Sequence, residues 1–179
     1  MNHLFGVGPI LSTRLVFLLA GLATAAWAPL VPFAKERLGV DAAVFGLLLL
    51  CLGIGSLLAM PVTGVLAARH GCRKVILVAA AVLAAAMPFL VLASTPLALG
   101  LTLAVFGAAV GTVDVAMNVQ AVAVEQQARR ALMSGFHGMF SLGGILGAGG
   151  VALALGAGLG TLATIGLGAA LVLALLALS

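Results

Sequence analysis

Long uncharged stretches alternate with short charged ones along the whole chain. The stretch 15–34 holds 20 residues between Arg14 and Lys35, and the stretch 42–68 holds 27 residues between Asp41 and Arg69. About 20 apolar residues in a helix are enough to cross a hydrocarbon core of about 30 Å. Each of these two stretches therefore predicts one membrane-spanning helix.

Two longer uncharged stretches each predict a pair of spans. The stretch 75–113 has 39 residues, and Ser94, Thr95 and Pro96 divide it; because proline suits the first turn of a helix, a new helix should start near Leu97. The stretch 131–179 has 49 residues and is divided by the glycine-rich segment 156–160. The sequence thus predicts an all-α membrane protein with one six-helix domain over residues 1–179. Its spans one to six should cover about 11–34, 42–68, 74–93, 97–124, 131–155 and 160–178.

Composition and charge support a multi-pass membrane protein. Hydrophobic residues make up 64% of the chain and charged residues 7%, whereas about 25% of a soluble domain is charged. The basic residues are divided among short loops and form no continuous face, so a nucleic-acid partner is not expected. Six of them fall on one predicted side (Arg14, Arg69, Arg73, Lys74, Arg129 and Arg130) and two on the other (Lys35 and Arg37). The positive-inside rule then predicts that both termini lie in the cytoplasm. The expected location is the plasma (inner) membrane.

Span four carries a carboxylate in its interior. Asp114, Asn118 and Glu125 fall on one helical face together with Gly107 and Gly111. A charged side chain at the centre of a bilayer costs about 2.5–3.5 kcal/mol on insertion scales. This stripe therefore indicates a cavity, pore or partner that Asp114 faces.

Span five carries a second polar stripe, formed by Ser134, His137 and Ser141 at helical spacing. If spans four and five form an antiparallel hairpin about residue 128, Asp114 lies level with 141–142 and Asn118 with 137–138. The four polar side chains would then share one depth, slightly to the cytoplasmic side of the midplane. The sequence does not reveal whether the two faces point at each other.

The outer half of span one contains Trp27 and Pro29. Pro29 should bend the helix and free backbone carbonyls. Trp27 either lines a cavity beside this bend or belongs to the interfacial aromatic belt. Span three has no ionisable residue in its interior and is predicted to be an outer, lipid-facing helix.

The loop after span two resembles a motif of the major facilitator superfamily, G-x-x-x-D-R-x-G-R-R/K. Four residues match it: Gly64, Arg69, Gly71 and Arg73. Ala68 stands where the family has an acid, and Cys72 stands where it has an arginine. In the family this loop takes part in the cytoplasmic gate, and these four residues inherit that expectation.

The runs DVAMNVQ from Asp114 and MSGFHGMFSLGGILG from Met133 resemble the fucose-permease-like branch of the same superfamily and related inner-membrane permeases. The resemblance implies one half of a twelve-helix transporter, built from two inverted three-helix repeats. It also implies that Asp114, Asn118 and His137 contribute to solute or proton binding. Span one lacks a carboxylate, so a two-acid proton site is not expected. Drug antiporters of the superfamily carry an arginine on span four and Gly-Pro on span five. This chain has no arginine on span four and has Gly147-Ala148 on span five, so drug antiport is less favoured.

We expect a secondary transporter of a small polar solute, coupled to protons through Asp114. Ser134, His137 and Ser141 should supply hydrogen bonds, and Trp27 a stacking surface. No cofactor, metal or catalytic residue is expected: the metalloprotease motif H-E-x-x-H does not occur, and Ser134 lacks the glycine that rhomboid proteases place two residues before their serine. The chain is expected to be an amino-terminal half whose partner is a missing carboxy-terminal half. The alternative is a non-transporting membrane assembly protein, in which the polar stripe only joins helices.

Overall fold

The computed structural model describes residues 7–179 as a bundle of α-helices. Residues 1–6, which the predicted domain includes, lie outside the described residues. The helices are α1 (Val7–Ala26), α2 (Val31–Leu38), α3 (Ala42–His70), α4 (Cys72–Leu92), α5 (Pro96–Ala128), α6 (Met133–Gly156) and α7 (Thr161–Leu178). Among the described residues, six segments are long and apolar enough to span a membrane, with α1 and α2 together forming the first, Gly8–Leu38. The prediction of an all-helical, six-span chain is confirmed.

Prolines interrupt the first span, as predicted. A short 3-10 turn, Ala28–Leu30, separates α1 from α2, with Pro29 inside it and Pro32 in the first turn of α2. Proline has no backbone N–H to donate and its ring clashes with the preceding helical turn. The α-helix of this span is therefore interrupted near the end that carries Lys35 and Arg37.

Helix ends are set by local capping chemistry. The Asp41 side chain accepts a hydrogen bond of 2.8 Å from the Val44 N–H, and the Thr95 hydroxyl accepts one of 3.2 Å from the Ala98 N–H. These bonds satisfy donors that a helix leaves free in its first turn. Pro96 is the first residue of α5, one position before the predicted start.

Two pairs of parallel helices pack most extensively against each other, α1 with α6 and α3 with α5. Both pairs pack backbone against backbone at glycines. A Cβ on Gly143 would collide with the Leu18 carbonyl of α1, and a Cβ on Gly107 would collide with the Leu52 carbonyl of α3. Small residues allow this approach where packing, and not the hydrophobic effect, drives helix association.

The pairing follows the symmetry of an inverted repeat. If α1–α4 and α5–α7 are taken as two triplets of spans, the first span of each triplet packs on the second span of the other, and the third spans, α4 and α7, pack together. A two-fold axis between the triplets generates this pattern. The architecture is that of a six-helix domain built from two inverted three-helix repeats.

The prediction that span three faces mainly lipid is wrong. Within an apolar stretch of 18 residues in each helix, 56% of α4 is buried, against 11% of α3 and 17% of α6. One face of α4, including Leu83, Met87 and Leu90, packs on α5 and α7. Hydropathy did not reveal this because a face that packs on other helices is as apolar as one that meets lipid. The exposed helices are α3 and α6.

Candidate functional site

A cavity of ≈ 210 Å³ lies beside Asp114 in the middle of the bundle. Five helices line it: α1, α3, α4, α5 and α6. Its polar lining consists of the Asp114 carboxylate with the hydroxyl-bearing residues Thr24 and Ser56. The remaining lining is apolar and comprises Ala20, Met60, Leu83, Val110, Val113, Met117 and Phe140. The cavity therefore combines one ionisable group with apolar walls, as small-molecule sites commonly do.

Asn118 holds the Asp114 carboxylate from one helical turn away. Its Nδ2 donates to the Asp114 carbonyl oxygen at 2.9 Å and to Asp114 Oδ1 at 3.3 Å. Both side chains are half-buried. Positions four apart in a helix lie on the same face, so this contact follows from the spacing of the predicted stripe. Asn118 orients the acid, while Asp114 itself lines the cavity.

A glycine contact brings Ser56 to the Asp114 face. A Cβ on Gly111, one turn before Asp114, would lie 2.6 Å from Ser56 Oγ. Only glycine leaves room for α3 to pass this close. Two turns nearer the His70 end of α3, Thr63 Oγ1 donates to Thr112 Oγ1 at 3.2 Å. These contacts fix α3 against α5 beside the carboxylate.

The predicted polar stripe of α6 lies on an exposed face. Ser134, His137 and Ser141 are all exposed on the bundle surface. The His137 ring packs on Phe17 of α1 with a centroid distance of 5.3 Å, and its Nδ1 lies 3.1 Å from the Met133 carbonyl oxygen. Of the described α6 residues, it is Phe140, and not these three, that lines the Asp114 cavity. The reason is that α5 and α6 barely touch, because α1 packs against both.

Trp27 is buried at the turn after α1, with 5% of its surface exposed. Its Nε1 has no hydrogen-bond partner among the described residues. It is not among the residues that line the Asp114 cavity. In this conformation Trp27 therefore packs in the core and neither lines that cavity nor belongs to an exposed aromatic belt.

The loop motif closes a one-residue turn between α3 and α4. Gly71 has φ +82°, which side-chain-bearing residues rarely adopt, and its N–H donates to the Ala67 carbonyl at 2.9 Å. Arg69 and Arg73 flank it, both exposed, and Gly64 lies on an exposed position of α3. Arg73 also lines a smaller cavity of ≈ 70 Å³ with Gln120 of α5.

Glu125 shares a helical face with Asp114 but does not line the Asp114 cavity; its carboxylate lies at the start of α6 instead. Its Oε2 accepts hydrogen bonds from the backbone N–H groups of Leu132 at 2.6 Å and Met133 at 2.7 Å. The carboxylate thus satisfies free donors at the start of α6, where negative charge is favourable. Sequence spacing placed Glu125 on the face of Asp114, but its partner across the loop was not predicted.

Sequence comparison agrees with this architecture. Residues 14–179 match the family model described as Major Facilitator Superfamily. An uncharacterized MFS-type transporter of Yersinia pestis is 61% identical over 160 residues, which cover 89% of this chain and 42% of that protein.

Two rhizobial proteins are more distant relatives. An uncharacterized transporter of Sinorhizobium fredii is 40% identical over 134 residues, which cover 75% of this chain and 36% of that protein. The membrane protein MosC of Rhizobium meliloti is 33% identical over 131 residues, covering 73% of this chain and 32% of that protein. The chain spans less than half the length of the curated relatives it matches.

Proposed function

The chain belongs to the major facilitator superfamily, and from that premise we propose that it forms one half of a secondary transporter for a small polar solute, coupled to protons. The observation that carries the proposal is the Asp114 carboxylate beside a cavity lined by five helices. Asp114 lies only two residues past the midpoint of α5, which supports a position near the centre of the bilayer. An ionisable group at this depth is costly unless it serves a pathway or a site.

Proton coupling requires a group that alternates between charged and neutral forms. Asp114 is such a group, and both forms of its carboxyl can accept the hydrogen bond from Asn118. A neutral acid is less costly than a charged one in a cavity that is closed to water. Protonation of Asp114 would therefore favour the step in which the loaded cavity changes the side to which it opens.

The solute we propose carries hydroxyl groups. Thr24, Ser56 and Asp114 offer hydrogen-bonding atoms, and Phe140 offers an apolar surface in the same cavity. This set suits a sugar or a related polar solute. The proposal needs no cofactor and no catalytic residue. Trp27 could stack on such a solute only in a conformation that opens the turn after α1.

The exposed stripe on α6 supports a second domain. Ser134, His137 and Ser141 would otherwise meet hydrocarbon, where polar side chains are unfavourable. We propose that a second six-helix half packs against α3 and α6. A solute held between the two halves would then contact these side chains. The distribution of basic residues supports an inner-membrane orientation with both termini in the cytoplasm.

The test is uptake of a panel of labelled sugars and polyols. Vesicles would contain the chain alone, or the chain joined to the carboxy-terminal part of the Yersinia pestis relative, whose matching region is 61% identical. We expect uptake of a panel member by the joined protein when a proton gradient is applied, and its loss with Asp114→Asn. A membrane assembly protein would instead give no uptake of any panel member in either form.

A further inference from the structure

A second cavity, of ≈ 200 Å³, lies between α1, α6 and α7 and shares no lining residue with the Asp114 cavity. Its walls are apolar except for Thr164. Leu146 of α6 and Leu167 and Leu171 of α7 line it and are 52%, 62% and 48% exposed. Because these leucines lie on the bundle surface, the cavity opens toward the hydrocarbon of the membrane.

The cavity exists because side chains are missing where α6 passes α7. A Cβ added to Gly150 would meet no atom within 4 Å, although this residue lines the cavity. Gly147 also lines it, but its Cβ would point at the Leu22 carbonyl of α1. α6 and α7 are therefore held by α1 and leave a gap between them. An unfilled apolar gap costs contacts on all its walls.

Thr164 supplies a polar group with no partner in the protein. Its side chain is 3% exposed, and Oγ1 makes no hydrogen bond with any described residue. An unpaired buried hydroxyl is unfavourable. Threonine occupies two χ1 rotamers in helices, so the hydroxyl can turn toward a molecule in the cavity. A bound water needs two to four polar partners, and this lining offers one side chain.

The position of Thr164 matches the depth of a lipid ester. The 18 residues of α7 span about 27 Å, close to the thickness of the hydrocarbon core. If α7 crosses the hydrocarbon core from end to end, Thr164, three residues after the first residue of the helix, lies about 4.5 Å inside the core boundary. Ester carbonyls lie at that boundary. From Thr164 to Leu171 the cavity follows α7 for about 10 Å.

We infer that this cavity binds one acyl chain of a phospholipid from the leaflet in which α6 ends and α7 begins. The chain fills the gap along Leu167 and Leu171, and Thr164 Oγ1 donates a hydrogen bond to the ester carbonyl of that chain. The site is separate from the solute site and requires neither transport nor a second six-helix domain.

The first test is cross-linking of the 179-residue chain in vesicles of phosphatidylethanolamine and phosphatidylglycerol that contain an ester phospholipid with a diazirine on one acyl chain. We expect adducts on the lining residues of α6 and α7 well above those on Leu57 and Leu58, which are exposed on α3 and report bulk lipid. Gly150→Leu should fill the cavity and reduce the adducts to that bulk level. Gly149→Leu is the matched control, since a Cβ there also meets nothing and the residue is outside the lining.

The second test leaves the volume of the cavity unchanged. Thr164→Val should weaken retention of the ester lipid about three-fold, the size of a membrane hydrogen bond, and should not alter retention of the matching ether lipid, which lacks the carbonyl. Thr161→Val, on the same helix but outside the lining, should leave both unchanged. Adducts no denser in the cavity than on α3, or equal loss of ester and ether lipids with Thr164→Val, would overturn the inference.

Discussion

The amide of Asn118 donates a hydrogen bond to the carboxylate of Asp114 one helical turn earlier, at 3.3 Å from Oδ1. The same amide also bonds the Asp114 carbonyl at 2.9 Å. The carbonyl bond fixes the Asn118 amide, and the bond to Oδ1 then orients the only ionisable side chain that lines the central cavity of the described bundle. The proposed proton and solute chemistry depends on that direction.

Removing the amide should impair the site without removing its acid. With Asn118→Leu, which keeps the volume of the side chain, we expect the apparent affinity for solute to fall about three-fold, corresponding to one membrane hydrogen bond. The measurement is the concentration dependence of uptake by the joined protein. Gln120→Leu is the control, because Gln120 lines the smaller cavity beside Arg73 and not the Asp114 cavity. Equal effects of the two substitutions would contradict the orienting role of Asn118.

Two glycines of α3 should respond in opposite ways to the same substitution. Gly55→Ala drives a methyl group into the Ala104 carbonyl of α5 and should lower the free energy of unfolding by about 1–3 kcal/mol. Gly53→Ala meets nothing within 4 Å and should be neutral or stabilising, by up to about 1 kcal/mol, because alanine favours the helix. Thermal unfolding in detergent measures both. A larger loss at Gly53 than at Gly55 would show that α3 does not pack on α5 in this register.

The bond between Thr63 and Thr112 should couple α3 to α5. A double-mutant cycle with Thr63→Val and Thr112→Val is expected to give a coupling free energy of about 0.6 kcal/mol, the average for hydrogen bonds between membrane helices. The same cycle with Thr63→Val and Thr102→Val is the control, since Thr102 bonds only within its own helix at Ala98. A coupling energy no larger than that of the control would contradict the contact.

The Glu125 carboxylate should hold the start of α6. Glu125→Ala leaves the N–H groups of Leu132 and Met133 without this acceptor, and loss of a helix cap costs about 0.5–2 kcal/mol. We expect faster amide hydrogen exchange at these two positions. Gln126→Ala, at the exposed neighbouring residue, should leave their exchange unchanged. Protection that persists in Glu125→Ala would mean that another group caps α6.

The sequence predicted the helices well because charge and proline mark their ends. Thr95 and Pro96 begin α5 within one residue of the predicted position, and Pro29 interrupts the first span as expected. Both effects are local: they depend on backbone donors, on ring geometry and on the cost of charge in hydrocarbon. Such features can be recognised without knowledge of which helices are neighbours.

The neighbours themselves could not be predicted in the same way. The polar stripes of Asp114 and His137 suggested adjacent helices, whereas α1 packs between α5 and α6. Thr24, Ser56 and Phe140 carry no charge and sit in apolar runs, so nothing in the sequence marked them as lining the Asp114 cavity. The one available signal was the spacing of Gly107 and Gly111 on the Asp114 face, which indicated a close helix but not which one.

Proton movement that accompanies solute uptake tests the central claim most directly. In lightly buffered vesicles holding the joined protein, addition of a transported solute should make the external medium more alkaline, in a fixed ratio to the solute taken up. Asp114→Asn should abolish this proton signal, while exchange of labelled for unlabelled solute continues. A proton-to-solute ratio that is unchanged in Asp114→Asn would contradict the account.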